Sequence, residues 1–183
     1  MKTKNFYALM MATLMGTALA IETADAKTLV AYFSLTGNTK NAAEIVAKET
    51  NADLYEIELV TPYPSEYKEQ IELAKKELDE GILPPIKPWP ENINEYDVVF
   101  VGSPVWWGTM ATPVRTFLTS GVLKGKIVIP FVTHGSGGAD NSFTDTAKLC
   151  DGCNVDVDGW AGYGRVTLGL KKWAKENLEE ATK

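Results

Sequence analysis

Three short apolar runs, each followed by small polar residues, constrain this chain more than anything else in it. They are TLVAYFS at 28–34, VVFVG at 98–102 and KIVIPFVT at 126–133. Continuous runs of that length suit strands buried on both faces, where both side-chain rows meet core. Segments of helical spacing lie between them. Apolar residues at 42, 45 and 46 predict a helix over Asn38–Thr50. Tyr67, Ile71, Ala74 and Leu78 share one face of a helix over Ser65–Glu80, stopped by Gly81. Further helices are expected over Thr112–Ser120, with Pro113 in the first turn, over Asn141–Leu149, and over Val166–Glu180 with Val166, Leu170, Trp173, Asn177 and Leu178 inward. LYEIEL at 54–59 reads as a half-buried strand and Val155–Val157 as a short one. The alternation predicts an α/β fold, a three-layer sandwich of a five-stranded parallel sheet with helices on both faces.

Two segments resist that pattern. Pro130 lies inside a predicted central strand, where it cannot donate to the ladder, so a bulge or an end of regular pairing is expected there. Ile82–Asp97 carries prolines at 84, 85, 88 and 90 and reads as an ordered loop docked through Ile82, Leu83, Ile86, Trp89 and Ile93.

The start of the chain does not belong to the domain. Lys2 and Lys4 precede a short apolar stretch, Phe6 to Met15, and two A-x-A sites end at Ala20 and Ala26. Residues 1–26 read as a secretory signal peptide cleaved after Ala20 or Ala26, with an uncleaved anchor as the alternative, and 27–183 as one domain. No arginine precedes Arg115 and no cysteine precedes Cys150, which leaves the general secretion route. A periplasmic or secreted location is expected, without stable membrane insertion after cleavage. A formal net charge of −6 speaks against a nucleic-acid partner.

In open parallel sheets ligands bind beyond the carboxyl ends of the strands, so the loops there carry the function. After the first strand comes Ser34-Leu35-Thr36-Gly37-Asn38-Thr39, leading into a helix. Hydroxyls, a glycine and a helix N-terminus make an anion cradle with no obligatory lysine, suited to a phosphate held rather than transferred. The plainer alternative is a helix capped by Asn38 or Thr36. After the third strand, Pro104-Val105-Trp106-Trp107-Gly108 offers aromatic faces, unless the tryptophans simply fold onto the core. After the fourth, Thr133-His134-Gly135-Ser136-Gly137 offers backbone donors and the chain's single histidine, which is either a ligand contact or a structural residue. A flat heteroaromatic ring bearing one phosphate satisfies all three loops, and flavin mononucleotide (FMN) is such a molecule.

The motifs FSLTGNTK, GSPVWWGTMATPVRTFL and IPFVTHGSGG, in that order after those strands, resemble the flavodoxin family over the mature chain. The resemblance implies strand order 2-1-3-4-5 and non-covalent FMN. It places the phosphate on Ser34, Thr36, Gly37, Asn38 and Thr39. It places the ring between Pro104, Val105, Trp106, Trp107 and Gly108 on one side and Thr133, His134, Gly135, Ser136 and Gly137 on the other. The family's tyrosine on the outer ring face has no counterpart in the later loop here. The resemblance implies an electron carrier working with redox protein partners or a small acceptor. The alternatives are an NAD(P)H-dependent quinone or flavin reductase of the same fold, or a flavin-free binding module. Cys150-Asp151-Gly152-Cys153 reads as a structural disulfide in an oxidising compartment, or else as a dithiol exchanging electrons with the flavin. No catalytic triad, paired-carboxylate site or metal-ligand set stands out.

Overall fold

The computed structural model describes residues 26–183; the expected leader up to residue 25, with its cleavage position at Ala20, lies outside the described residues. In chain order the elements are β1 (Thr28–Tyr32), α1 (Asn38–Thr50), β2 (Asp53–Glu56), α2 (Tyr67–Glu80), a 3₁₀ turn (Ile93–Glu95), β3 (Val98–Trp106), β4 (Thr109–Met110), α3 (Thr112–Thr119), β5 (Ile127–His134), α4 (Ala139–Leu149), β6 (Asn154–Val155), β7 (Trp160–Tyr163) and α5 (Leu170–Ala181).

The apolar runs form the centre of a parallel sheet of order β2-β1-β3-β5-β6, with β7 also on the outer side of β5. β6 and β7 are two halves of one broken edge strand, paired with Ile127–Val128 and Phe131–His134. Counted so, with the hairpin strand β4 set aside, the order is 2-1-3-4-5. The alternation of side chains along each strand separates two cores. Leu29, Ala31, Val99 and Val101 face Val114, Phe117 and Phe143 of α3 and α4. Val30, Tyr32, Phe100 and Phe131 face Ala42, Ala43 and Val46 of α1 and Leu170 and Ala174 of α5.

Several expectations need correction. Pro130 neither bulges nor ends the ladder: it pairs in register with Val101. Its missing N–H falls on the other side of β5, in the gap between β6 and β7, where the Pro130 carbonyl lies against Gly159. The sheet never asks for that donor. The last helix begins at Leu170, not Val166, and Val166 is exposed. Ile82 and Leu83 are exposed, so of the expected docking residues only Ile86, Trp89 and Ile93 pack on the core, with Pro84 and Tyr96 buried beside them. On α2 only Ala74 and Glu77 are buried, and Tyr67 is 75% exposed. The strand β7 was not expected at all.

Cys150 caps the C-terminus of α4 and is joined to Cys153 by a disulfide. Among the described residues no helix is long and apolar enough to cross a membrane.

Candidate functional site

At the carboxyl ends of β1, β3 and β5 a cleft of about 300 Å³ opens between the three loops. Ser34, Thr36, Asn38 and Thr39 line one end, Pro104, Val105 and Trp106 one wall, and Thr133, His134 and Gly135 the opposite wall.

The first end is organised by α1. Its N-cap is Gly37, in the left-handed region at φ 83°, and no side chain caps the helix. Neither Asn38 nor Thr36 is therefore the cap. The first-turn N–H groups keep their hydrogen-bonding capacity for another acceptor, with the helix dipole behind them. The Ser34 hydroxyl folds the loop by accepting the Gly37 N–H at 3.1 Å. Thr39 is 1% exposed, and its hydroxyl shares a 2.8 Å hydrogen bond with that of Thr133. That pair ties α1 to the end of β5 across the cleft floor.

One wall is a hairpin. β3 runs four residues past Gly102, turns at Trp107-Gly108 and returns as β4, with Val105 opposite Met110 and Trp106 opposite Thr109. Trp107 and Gly108 both have positive φ, 52° and 81°. This is the geometry of a tight hairpin turn whose twist matches the strands, and it is an unusual one for tryptophan. Thr109 anchors the hairpin by donating to Asp145 of α4 at 2.6 Å. Trp106 packs edge-on against Phe33 and Tyr63, each with ring centres 5.5 Å away. Tyr63 is fixed in turn by a buried carboxylate: its hydroxyl and that of Thr112 both donate to Glu77 at 2.5 Å. Burial, and then the bond to Glu77, push the Tyr63 phenol well above its ordinary value, so it stays protonated and donating.

The opposite wall is the glycine loop. The Gly137 N–H donates to His134 Nδ1 at 3.0 Å, so this ring nitrogen acts as an acceptor and pins the loop. A Cβ on Gly138, at φ 90°, would lie 2.9 Å from Gly108 Cα, so the loop and the hairpin abut there. Ser136 and Gly137 lie beyond the cleft lining. Gly108 sits at the abutment, and Trp107, 54% exposed, lines a neighbouring apolar cleft. That cleft, about 280 Å³, is formed by Leu35, Tyr67, Ile71, Ala74, Val105 and the two tryptophans, with Lys75 Nζ over the Trp107 ring at 5.5 Å.

Sequence reasoning missed Tyr163 and Gly164, which line the main cleft after β7, and Tyr67 and Gln70, which overhang it from α2. It also missed Arg165, whose Nη2 reaches to 3.4 Å from the point a Cβ on Gly37 would occupy. Tyr163 stands edge-on to His134, ring centres 6.0 Å apart. The signal was present as the W-A-G-Y-G-R run, an aromatic strand closed by a glycine turn.

A doubly wound parallel sheet, with an uncapped helix at the end of its first strand and an aromatic hairpin at the end of its third, defines a nucleotide-type binding protein. The family model for flavodoxin matches residues 27–177, and the chain belongs to that family. Among solved structures it is similar to a flavoprotein from Bacteroides eggerthii DSM 20697, at 34% identity and TM-score 0.71, covering 85% of this chain and 98% of that one. A Bacteroides uniformis flavoprotein is 31% identical, with TM-score 0.71 and coverage of 82% and 98%. A Lactobacillus acidophilus flavoprotein solved in complex with FMN is 26% identical, with TM-score 0.67 and coverage of 81% and 99%.

Proposed function

We propose that this protein is an electron carrier that works through non-covalently bound FMN in an exported compartment. The cofactor is FMN, and the observation that carries it is the single cleft joining an uncapped helix N-terminus to an aromatic wall. The residues fit the group. Ser34, Thr36, Asn38 and the first-turn N–H groups of α1 offer donors to a phosphate, and Gly37 keeps a side chain out of the cradle. Pro104, Val105 and Trp106 face Thr133, His134 and Gly135 across a space for a flat ring. Bound FMN supplies one- and two-electron chemistry at that ring. The chain's part is to orient the ring, to exclude water with Trp106 and Tyr163, and to present backbone groups of the Gly108 and Gly135 loops to its polar edge.

Export is supported by the signal-like N-terminus and by the Cys150–Cys153 disulfide, which suits an oxidising compartment. A second reading, a reductase passing electrons from NAD(P)H to a quinone or flavin, is favoured by the apolar cleft against α2, which adjoins the ring wall through Val105 and Trp106.

The test is the absorbance and tryptophan fluorescence of the purified protein, titrated with FMN. Flavin bands and quenched fluorescence are expected. A protein that takes up no FMN would overturn the proposal in favour of a flavin-free binding module. Steady-state NAD(P)H oxidation with quinones separates carrier from reductase.

A further inference from the structure

We propose that Arg165 is a ligand of the cofactor phosphate and makes this protein select a phosphorylated flavin over an unphosphorylated one; the inference rests on the FMN reading above. A phosphomonoester carries close to two negative charges at neutral pH. The cleft that would hold it is lined by no lysine or arginine, and the chain as a whole carries a formal charge of −6. Lys40, the cation in the first turn of α1, turns away to Glu56 of β2 at 3.4 Å. Uncharged hydroxyls and N–H groups therefore face the phosphate from the α1 side.

Arg165 faces the same point from the other side. It sits in a turn closed by the Val166 N–H donating to the Tyr163 carbonyl at 2.9 Å. The turn is held to the sheet by the Gly164 N–H, which donates to the His134 carbonyl at 2.9 Å. Trp160 Nε1 donates to the Leu168 carbonyl at 3.1 Å and fastens the segment beyond it. The backbone carrying Arg165 is thus fixed at three places, all on β5 or β7. From there the guanidinium reaches over Gly37, its Nη2 3.4 Å from where a Cβ on that residue would stand. Among the described residues Arg165 makes no ion pair or hydrogen bond, so its five donors remain for an oxyanion. A guanidinium matches a phosphate with two parallel bonds, which an ammonium cannot.

Flavin fluorescence titrations with FMN and with riboflavin, on the protein and on Arg165→Ala and Arg165→Lys, test this. Arg165→Ala should weaken FMN about tenfold, as expected for loss of a charge-assisted contact at a solvent-exposed site, and leave riboflavin unchanged. Arg165→Lys should recover part of the loss. The decline of FMN affinity with added salt should be shallower in Arg165→Ala than in the parent. Equal FMN affinity in parent and Arg165→Ala would overturn the inference and leave the FMN reading intact. Equal weakening of both flavins would also overturn it, because the turn would then be acting on the ring. A parent that binds neither flavin would sink both.

Discussion

The two ends of the cleft are built on opposite principles. At the α1 end the functional groups are by-products of the core. α1 buries Ala42, Ala43, Val46 and Ala47 against the sheet, and Thr39 is locked to Thr133 beneath the loop. At the hairpin end the chain leaves the core. β3 overruns its layer, and the turn places a tryptophan, more than half exposed, at a left-handed φ. Strain of that kind persists where the surroundings over-determine it, and it collects at working sites. On the proposed FMN site, one end would hold the ligand with groups the core already fixes, and the other would shape its chemistry at some expense of stability. Substitutions at the first end should lose binding and stability together; at the second the two should part.

The largest effect is expected at Gly37. Gly37→Val puts a β-branched residue at φ 83° and its Cβ against Arg165. The left-handed conformation alone costs about 1–2 kcal/mol for an L residue. With the cradle displaced, FMN affinity should fall on the order of a hundredfold, or about 2.7 kcal/mol. A variant that titrates with FMN like the parent would show that the α1 end does not hold the cofactor. Next comes the cleft floor. Thr133→Val leaves the Thr39 hydroxyl buried without its partner, which should cost about 1–3 kcal/mol in denaturant unfolding. The double variant with Thr39→Val should recover most of that, because two apolar isosteres need no partner. If it is no more stable than the single variant, the hydroxyl pair is not the clamp.

The same contrast governs what could be read from the sequence. α1 was legible to the residue, Asn38–Thr50, because its spacing is set by one face packed on the sheet. The hairpin was not. Ser103-Pro104 reads as a loop, yet Pro104 is a strand residue opposite Thr133, at a sheet end where its lost donor goes unused. Periodicity puts Tyr67 on one face with Ile71, Ala74 and Leu78, but it does not say how much of that face meets the core, and the first turn of α2 overhangs the cleft. The residues after β7 were missed for a related reason. A break at 156–159 splits the edge strand, Val155 ends the first half where a strand over Val155–Val157 is expected, and the W-A-G-Y half carries two small residues and no β-branched one. Tyr163 and Arg165 went with it. What failed was the placement of edges and overhangs, which depends on how far an element extends past its neighbours and not on its own pattern.

The disulfide offers a control outside both ends. It closes a four-residue loop at the far end of α4, whose eleven residues rise about 16 Å from the glycine loop. Reduction, or Cys150→Ser with Cys153→Ser, should cost about 2 kcal/mol or less by loop-closure entropy. FMN affinity should stay unchanged. A changed flavin affinity or potential on reduction would support electron exchange between the dithiol and the cofactor instead of a structural staple.

The smallest expected effect is the most discriminating, because its sign is at stake. Trp107→Asn creates Asn-Gly, the pairing that a two-residue turn with both φ positive prefers. Relief of the left-handed tryptophan should stabilise the protein by about 1 kcal/mol. Loss of the Lys75 contact over the exposed indole removes about 0.5–1 kcal/mol of that. On these two contributions the melting temperature should hold or rise slightly, Trp107 being more than half exposed. The apolar cleft against α2 loses a wall in the same variant. Quinone reduction, if the protein performs it, should fall while FMN affinity stays within a fewfold of the parent. A variant less stable than the parent by 1 kcal/mol or more would mean that Trp107 belongs to the packed structure, and the contrast between a core-built end and a strained end would fail at the residue that most suggests it.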